Sequence, residues 1–109
     1  MSSTRPLITV FLNAHSRIIL DRMTVNELLL VFRANNVPEH YYVVDGVGGG
    51  ECYGIGVIDL KWSIYYSERG KRSVLRQFDS EAAACQELFN YIETLMLEDF
   101  GRSIDQSKS

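Results

Sequence analysis

Apolar and polar residues alternate one by one through the middle of this chain. In residues 61–67, Trp62, Ile64 and Tyr66 fall on one face, and the intervening residues fall on the other. A period of two is typical of a half-buried β-strand. Residues 52–58 alternate in the same way, with glycines on one face. Those glycines indicate a close neighbour, either a helix or a bulky ring such as Trp62 across the hairpin.

The regions on either side of this central part follow the helical period instead. Thr24 opens a capping-box pattern and an apolar stripe follows it, which predicts a helix over residues 25–35. A second helix is predicted to begin at Asp79 or Ser80, since both are good N-caps, and to end near Gly101. The apolar stripe of this second helix consists of Ala84, Leu88, Tyr91, Ile92 and Leu95.

Two further strands complete the predicted sheet, at residues 40–44 and 74–78. Tight turns at 59–60 and 68–71 make neighbouring strands antiparallel. The apolar stripes of the helices need a sheet face to cover them. We therefore predict an α+β fold in which an antiparallel four-stranded meander is flanked by an N-terminal and a C-terminal helix, both packed on one face.

The same signals predict the domain boundaries. A single α+β domain is expected over residues 23–100, with a polar tail at 101–109 and an N-terminal extension at 1–22. Two short apolar runs in the extension predict an extra edge hairpin. A signal peptide is a weaker interpretation, because the apolar core is short and its basic flank is thin. A third alternative is that translation begins at Met23, immediately before the first domain signals.

Charge is spread unevenly along the chain. The net charge is −3 and the pI is about 5.3, which argues against a general nucleic-acid binder. Residues 61–76 nevertheless hold five basic side chains against one acidic side chain, a net charge of +4. Residues 77–109 hold seven acidic side chains against two basic ones, a net charge of −5. Either two solvated faces or two binding surfaces would account for this asymmetry.

No pattern of catalytic, metal-binding or cofactor-binding residues is found in the sequence. Cys52 and Cys85 lack metal-ligand spacing with the two histidines and are too few for a disulfide scaffold, which fits a reducing cytoplasm. The glycine-rich residues 45–50 are interpreted as a hairpin loop, since the Gly-Lys-Ser/Thr of a phosphate-binding loop does not follow. No apolar run is long enough to span a bilayer. We therefore expect neither an enzyme nor a membrane protein.

Tyrosines of the strands offer a second kind of candidate site. Alternation predicts Tyr42, Tyr53 and Tyr65 on the exposed sheet face, beside the arginines of the 68–71 turn and of the last strand. Exposed tyrosines next to arginines have the composition of a protein-interaction hot spot. They would also suit stacking of single-stranded nucleic acid. Ordinary cross-strand packing is the remaining interpretation.

Several segments, taken together, resemble the small immunity proteins encoded beside bacterial polymorphic toxins, including those of contact-dependent growth inhibition. The resemblance covers about residues 23–97, and no part of residues 1–22 matches it. Residues 54–56, Gly-Ile-Gly, depart from the resemblance, which would predict a more polar strand there. The segments that carry the resemblance are Met23–Leu29, Val37-Pro38, Val44-Asp45-Gly46, Lys61-Trp62, Tyr65–Gly70, Phe78–Glu81 and Ala84-Cys85.

This resemblance implies a cytoplasmic, non-enzymatic protein without cofactors that binds the C-terminal domain of one cognate toxin and blocks it stoichiometrically. Such toxins are often nucleases with basic clefts, which the acidic residues of 77–99 would complement. The competing interpretation is a small nucleic-acid-binding or regulatory module that uses the tyrosines and arginines of the sheet. Interface residues vary with the toxin, so none is carried over from the family. From charge and alternation, the candidate partner-binding residues are Glu87, Glu93, Glu98, Asp99, Tyr65, Arg69 and Arg72.

Overall fold

A computed structural model describes residues 22–108 of the chain, and the predictions made for residues 1–21 lie outside the described residues. The fold is α+β, with a four-stranded sheet in the order β1-β2-β3-β4 and two α-helices. No helix within residues 22–108 is long and apolar enough to cross a membrane. The elements are α1 (Val25–Ala34), a 3₁₀ helix (Glu39–Tyr41), β1 (Tyr42–Val44), β2 (Cys52–Ile58), β3 (Lys61–Glu68), β4 (Lys71–Phe78) and α2 (Glu81–Phe100).

Both helices begin where the capping residues predict. The Thr24 hydroxyl accepts from the Glu27 N–H at 3.2 Å, and the Glu27 carboxylate accepts from the Thr24 N–H at 2.9 Å. At α2 the Ser80 hydroxyl accepts from the Ala83 N–H at 3.1 Å. Gly101 ends α2 in the left-handed conformation, with a φ of 69°, which glycine adopts without steric cost.

The predicted antiparallel meander is wrong at its first strand, because β1 runs parallel to β2. Tyr42 lies opposite Tyr53, and Val44 lies opposite Ile55. β1 is shorter than predicted, since residues 40 and 41 belong to the 3₁₀ helix. A three-residue strand spans only about 10 Å. Residues 45–51 can therefore lead from the end of β1 back to the start of the parallel strand β2 without a crossover helix. The glycine-rich segment is this connection, and not the predicted hairpin loop.

The hydrophobic core lies between the two helices and one face of the sheet. At its centre Ile55 of β2 lies opposite Ile64 of β3, and both side chains are fully buried. α1 contributes Phe32 to the same cluster, and α2 contributes Leu88 and Ile92. Full burial of each such side chain is worth about 1.5–3 kcal/mol. The two helices thus stabilise the sheet from the same side.

The segment after α2 extends this core. Ile104 is buried in the same cluster, at 6% exposure. The Asn35 side-chain amide donates to the backbone carbonyl of Asp105 at 2.9 Å, and its carbonyl accepts from the Asp105 N–H at 2.8 Å. These bonds satisfy the buried Asn35 amide and attach residues 104–105 to the end of α1.

The opposite face of the sheet is covered by the connection between β1 and β2. The Tyr65 side chain lies flat against Gly54 on the neighbouring strand, in the space that a Cβ would occupy. Its hydroxyl accepts from the Gly46 N–H at 3.0 Å and donates to the Gly46 carbonyl at 2.6 Å. The Ser67 hydroxyl accepts from the Gly48 N–H at 3.1 Å. The bulky ring expected against the glycines is therefore present at Gly54, where it is Tyr65 and not Trp62, whereas the close neighbour of Gly56 is Asp45.

Replacing Gly54 with alanine is expected to destabilise the protein by about 1–3 kcal/mol, the usual cost of overpacking a filled site. The new methyl group would overlap the Tyr65 ring, which is fully buried and tied to Gly46. Urea unfolding followed by circular dichroism measures the change. Gly49→Ala is the matched control, since nothing lies within 4 Å of its Cβ position. Equal midpoints for both variants would contradict this packing.

Candidate functional site

The β3–β4 hairpin places several of the predicted residues on one edge of the sheet. Its two-residue turn consists of Arg69 and Gly70, both with positive φ, between the paired residues Glu68 and Lys71. This is the turn geometry that two-residue hairpins favour. In β4 every residue from 71 to 77 is exposed. We call the surface formed by Arg69, Lys71, Arg72, Val74 and Leu75 the basic edge.

The basic edge also carries apolar side chains. Val74 is 46% exposed and Leu75 is 43% exposed. A β-bulge lies at this point, since Tyr65 pairs with Val74 whereas Ile64 pairs with Arg76, which leaves Leu75 as the extra residue. Bulges and basic side chains are devices by which edge strands avoid uncontrolled strand pairing. The edge therefore suits side-chain recognition more than indiscriminate sheet extension.

The predicted row of exposed tyrosines is wrong. Tyr53 lies opposite Tyr66, so both belong to the helix-covered face together with Tyr42, and Tyr65 belongs to the other face. Tyr65 is fully buried, and the guanidinium carbon of the exposed Arg72 lies 5.3 Å from its ring centre. Tyr42 and Tyr53 are half-buried against Phe32 and Tyr91. Tyr65 lies on the predicted face, but the β1–β2 connection covers it. Tyr42 and Tyr53 lie on the helix-covered face, because alternation within one strand does not say how neighbouring strands align.

The acidic candidates of α2 do not form one face. At about 100° per residue, Glu87 and Glu98 point to one side of the helix, while Glu93 and Asp99 point to two others. Three of the four also have intramolecular partners. Glu87 pairs with Arg76 at 3.2 Å, Glu93 accepts from the Ile104 N–H at 3.3 Å, and Asp99 accepts from the Tyr41 hydroxyl. Glu98 is exposed.

A cleft that sequence reasoning missed lies where β2 begins and β3 ends. It encloses about 230 Å³ between the 3₁₀ helix, the sheet and α2. The Tyr53 ring stacks on Tyr91 at 4.7 Å and meets the edge of Tyr66 at 5.6 Å. We call it the tyrosine cleft. Its lining residues are His40, Tyr41, Glu51, Cys52, Tyr53, Tyr66 and Leu95.

Two tyrosine hydroxyls of this cleft are bonded to carboxylates. The Tyr66 hydroxyl donates to Glu51 Oε1 at 2.7 Å, and the Tyr41 hydroxyl donates to Asp99. The bond to Glu51 is the main cause that raises the pKa of Tyr66 to about 12. Burial, with the bond to Asp99, raises the pKa of Tyr41 to about 12. Both phenols are neutral at physiological pH and donate to these carboxylates. The carboxylate oxygens are the acceptors that remain for a ligand.

Cys52 is the one cysteine among the residues that line the cleft, and its surroundings suppress its reactivity. Burial raises the pKa of the Cys52 thiol, although Gly48 and Ser67 partly offset the effect. Burial also raises the pKa of Cys85 to about 12. Thiolate is the reactive form of cysteine. Within residues 22–108, no group of three or more histidine, cysteine, aspartate or glutamate side chains is arranged to hold a metal ion.

Comparison with known proteins found no matching family model, no matching curated protein and no matching solved structure for this chain.

Replacing Tyr65 with phenylalanine tests the structural role of its hydroxyl. The variant keeps the ring on Gly54 but leaves the Gly46 N–H and carbonyl without their partner. We expect a loss of about 1–3 kcal/mol of stability, the usual cost of unpairing a buried polar group. Hydrogen exchange should accelerate at Gly46 and Gly48. Exchange unchanged at both amides would contradict the assignment of Tyr65 to the loop.

Thiol labelling tests the suppressed reactivity of the cysteines. Because the pKa of each thiol is raised, a smaller fraction of each is thiolate at mildly alkaline pH than in an ordinary cysteine. The native chain should react with Ellman's reagent much more slowly than the chain unfolded in urea. Unfolding exposes both thiols to the reagent. A rapidly reacting native thiol would contradict the burial of that cysteine and reopen a nucleophilic role.

Proposed function

We propose that this protein is an immunity protein that binds the C-terminal domain of one bacterial polymorphic toxin and neutralises it stoichiometrically in the cytoplasm. The resemblance over residues 23–97 supports this function. Its most specific segments occupy structurally distinct places: Tyr65–Gly70 ends β3 and forms the hairpin turn, and Phe78–Glu81 leads into α2. Binding, and not catalysis, is the proposed mode of action.

The observation that carries a binding role is the exposure of β4. The strand is exposed on both faces from residue 71 to residue 77, and β3 is its only neighbour in the described sheet. Val74 and Leu75 present apolar surface there, with Arg69 and Arg72 beside them. Apolar side chains surrounded by arginine are typical of interface centres. The basic edge is therefore the proposed contact surface.

We also propose that the toxin is a nuclease, as the notable acidity of the C-terminal third suggests. A nuclease cleft is basic because it binds phosphates, and an acidic partner accelerates the encounter with it. The side chains of Glu87, Glu93 and Asp99 already have partners within the chain. Glu98 is therefore the α2 candidate that is most available for a toxin.

A small nucleic-acid-binding module is the second candidate function, and the basic edge is the observation that favours it. Arg69, Lys71 and Arg72 are exposed together on one hairpin and would contact phosphates. Aromatic stacking, which single-strand binders use, has less support, because the Tyr65 ring is buried under the β1–β2 connection.

Co-expression with candidate toxins tests the immunity function. The candidates are C-terminal domains of large secreted proteins encoded beside the gene for this chain. We expect one of them to arrest bacterial growth alone, and to form a 1:1 complex with this protein that restores growth. If no such domain is toxic, or none binds, the immunity function is wrong. A salt-dependent gel shift with single-stranded RNA at micromolar protein would then favour the second candidate.

The double substitution Val74→Ser and Leu75→Ser tests the basic edge within that complex. Both side chains are exposed in the free protein, so the variant should fold normally and bind the toxin at least roughly tenfold more weakly, as expected for truncated interface-centre residues. Leu97→Ser is the matched control, because Leu97 is equally exposed, at 49%, on α2. Unchanged affinity in the double variant would show that the toxin binds another surface, and it would leave the proposed immunity function untouched.

A further inference from the structure

The tyrosine cleft combines the features by which proteins hold organic cations. Tyr41, Tyr53 and Tyr66 supply aromatic walls, and Glu51 supplies a carboxylate at the rim. Aromatic rings attract cations electrostatically, and a carboxylate adds a charge-assisted hydrogen bond. None of the residues that line the cleft is a lysine or an arginine. The only basic side chain of the lining is that of His40.

The carboxylate of Glu51 is positioned by one hydrogen bond and keeps further acceptor positions open. Its Oε1 accepts from the Tyr66 hydroxyl at 2.7 Å. A carboxylate has about four acceptor positions on its two oxygens, so one hydrogen bond leaves it free to accept from a guanidinium or ammonium group. Tyr66 in turn is fixed by its edge contact with Tyr53, which stacks on Tyr91. The walls and the acceptor are therefore ordered before any ligand arrives, which lowers the entropy cost of binding.

The surroundings of the cleft are negative. The charges of Glu51 and Glu68 both contribute to the raised pKa of Tyr66, which places both carboxylates near its hydroxyl. Asp99 is bonded to the hydroxyl of Tyr41, which lines the cleft. A neighbouring hollow of about 300 Å³ shares His40, Glu51 and Cys52 with the cleft and adds Glu39. These acidic groups would attract a cation and repel an anion.

The size of the cleft limits what it can enclose. Small-molecule sites usually measure about 300–1,000 Å³, and the tyrosine cleft measures about 230 Å³. This volume suits one side chain. Of the arginine and lysine side chains, arginine is the better match, because its planar guanidinium stacks on aromatic rings and presents several donors to a carboxylate.

We infer that the tyrosine cleft receives the cationic side chain of an arginine, or of a lysine, from a protein partner. The guanidinium lies against the rings of Tyr53 and Tyr66 and donates to Glu51. The inference rests on the proposed function only for the identity of that partner, which would be a basic toxin domain. The cleft also lies beside the basic edge, because Tyr66 of the cleft pairs with Ser73 of β4.

The first experiment uses the free protein and a small probe. ¹⁵N-labelled protein is titrated with N-acetyl-arginine methylamide, and in parallel with N-acetyl-citrulline methylamide, a neutral compound of nearly the same shape. We expect the arginine compound to shift the amide signals of Glu51, Cys52 and Tyr53 with millimolar affinity, and the citrulline compound to shift them much less. Equal shifts with both compounds, no shifts, or shifts only elsewhere would overturn the inference.

Two variants that each remove one carboxylate charge separate the cleft from the general acidity of the surface. Glu51→Gln keeps an oxygen that accepts from Tyr66 but removes the charge, so the fold should be unaffected and arginine binding should fall at least roughly tenfold. Asp79→Asn removes a charge whose side chain is 98% exposed and lies outside the cleft lining, and this variant should bind the arginine compound like the unmodified protein. Equal losses in the two variants would show non-specific charge attraction and overturn the inference.

The second experiment uses the toxin complex. With a toxin that binds the unmodified protein, Glu51→Gln should lower the affinity at least roughly tenfold and reduce its salt dependence. Unchanged toxin affinity would overturn the cleft as a partner site and leave the immunity function intact. Shifts with the arginine compound but no toxin binding would overturn the immunity function and leave the cation site intact.

Discussion

The contact between Tyr65 and the backbone of Gly46 and Gly54 decides the form of the sheet. Its ring needs a glycine opposite it, because any Cβ at position 54 would overlap the ring. Its hydroxyl has a raised pKa from burial, so it stays protonated and can both accept from and donate to Gly46. Through these two bonds the β1–β2 connection lies across the sheet, and β1 is placed parallel to β2. One buried tyrosine thus fixes a segment that has few apolar side chains of its own.

Because helices cover one face of the sheet and this connection covers much of the other, the surfaces left for recognition are its edges and ends. The exposed β4 strand carries positive charge. The tyrosine cleft carries negative charge, and its residue Tyr66 pairs with Ser73 of β4. A partner that contacts both must match two opposite potentials at a fixed spacing. Such an arrangement favours one orientation of the partner and penalises others, which gives specificity more than it gives raw affinity.

The elements that sequence patterns predicted correctly depend on short-range interactions. Thr24 and Glu27 satisfy each other's backbone within one helical turn, Ser80 does the same for α2, and Gly101 ends that helix. The predictions that failed depend on interactions between distant residues. The direction of β1 and the burial of Tyr65 follow from which strands pair and in which register. Alternation reports that two faces exist, but not which neighbour each face will meet.

The sequence by itself determined the two helices with their caps, the β2–β3 and β3–β4 hairpins with their turns, and the presence of a close neighbour over the glycines of β2. It also determined a basic hairpin and an acidic C-terminal third. Only the tertiary structure decided that Tyr65 is that neighbour at Gly54. It also decided that the acids of α2 are largely engaged within the chain, and that tyrosines from three elements meet around Glu51. The reason is physical: caps and turns are satisfied within a few residues, whereas a cleft exists only when strand register and helix packing bring separate segments together.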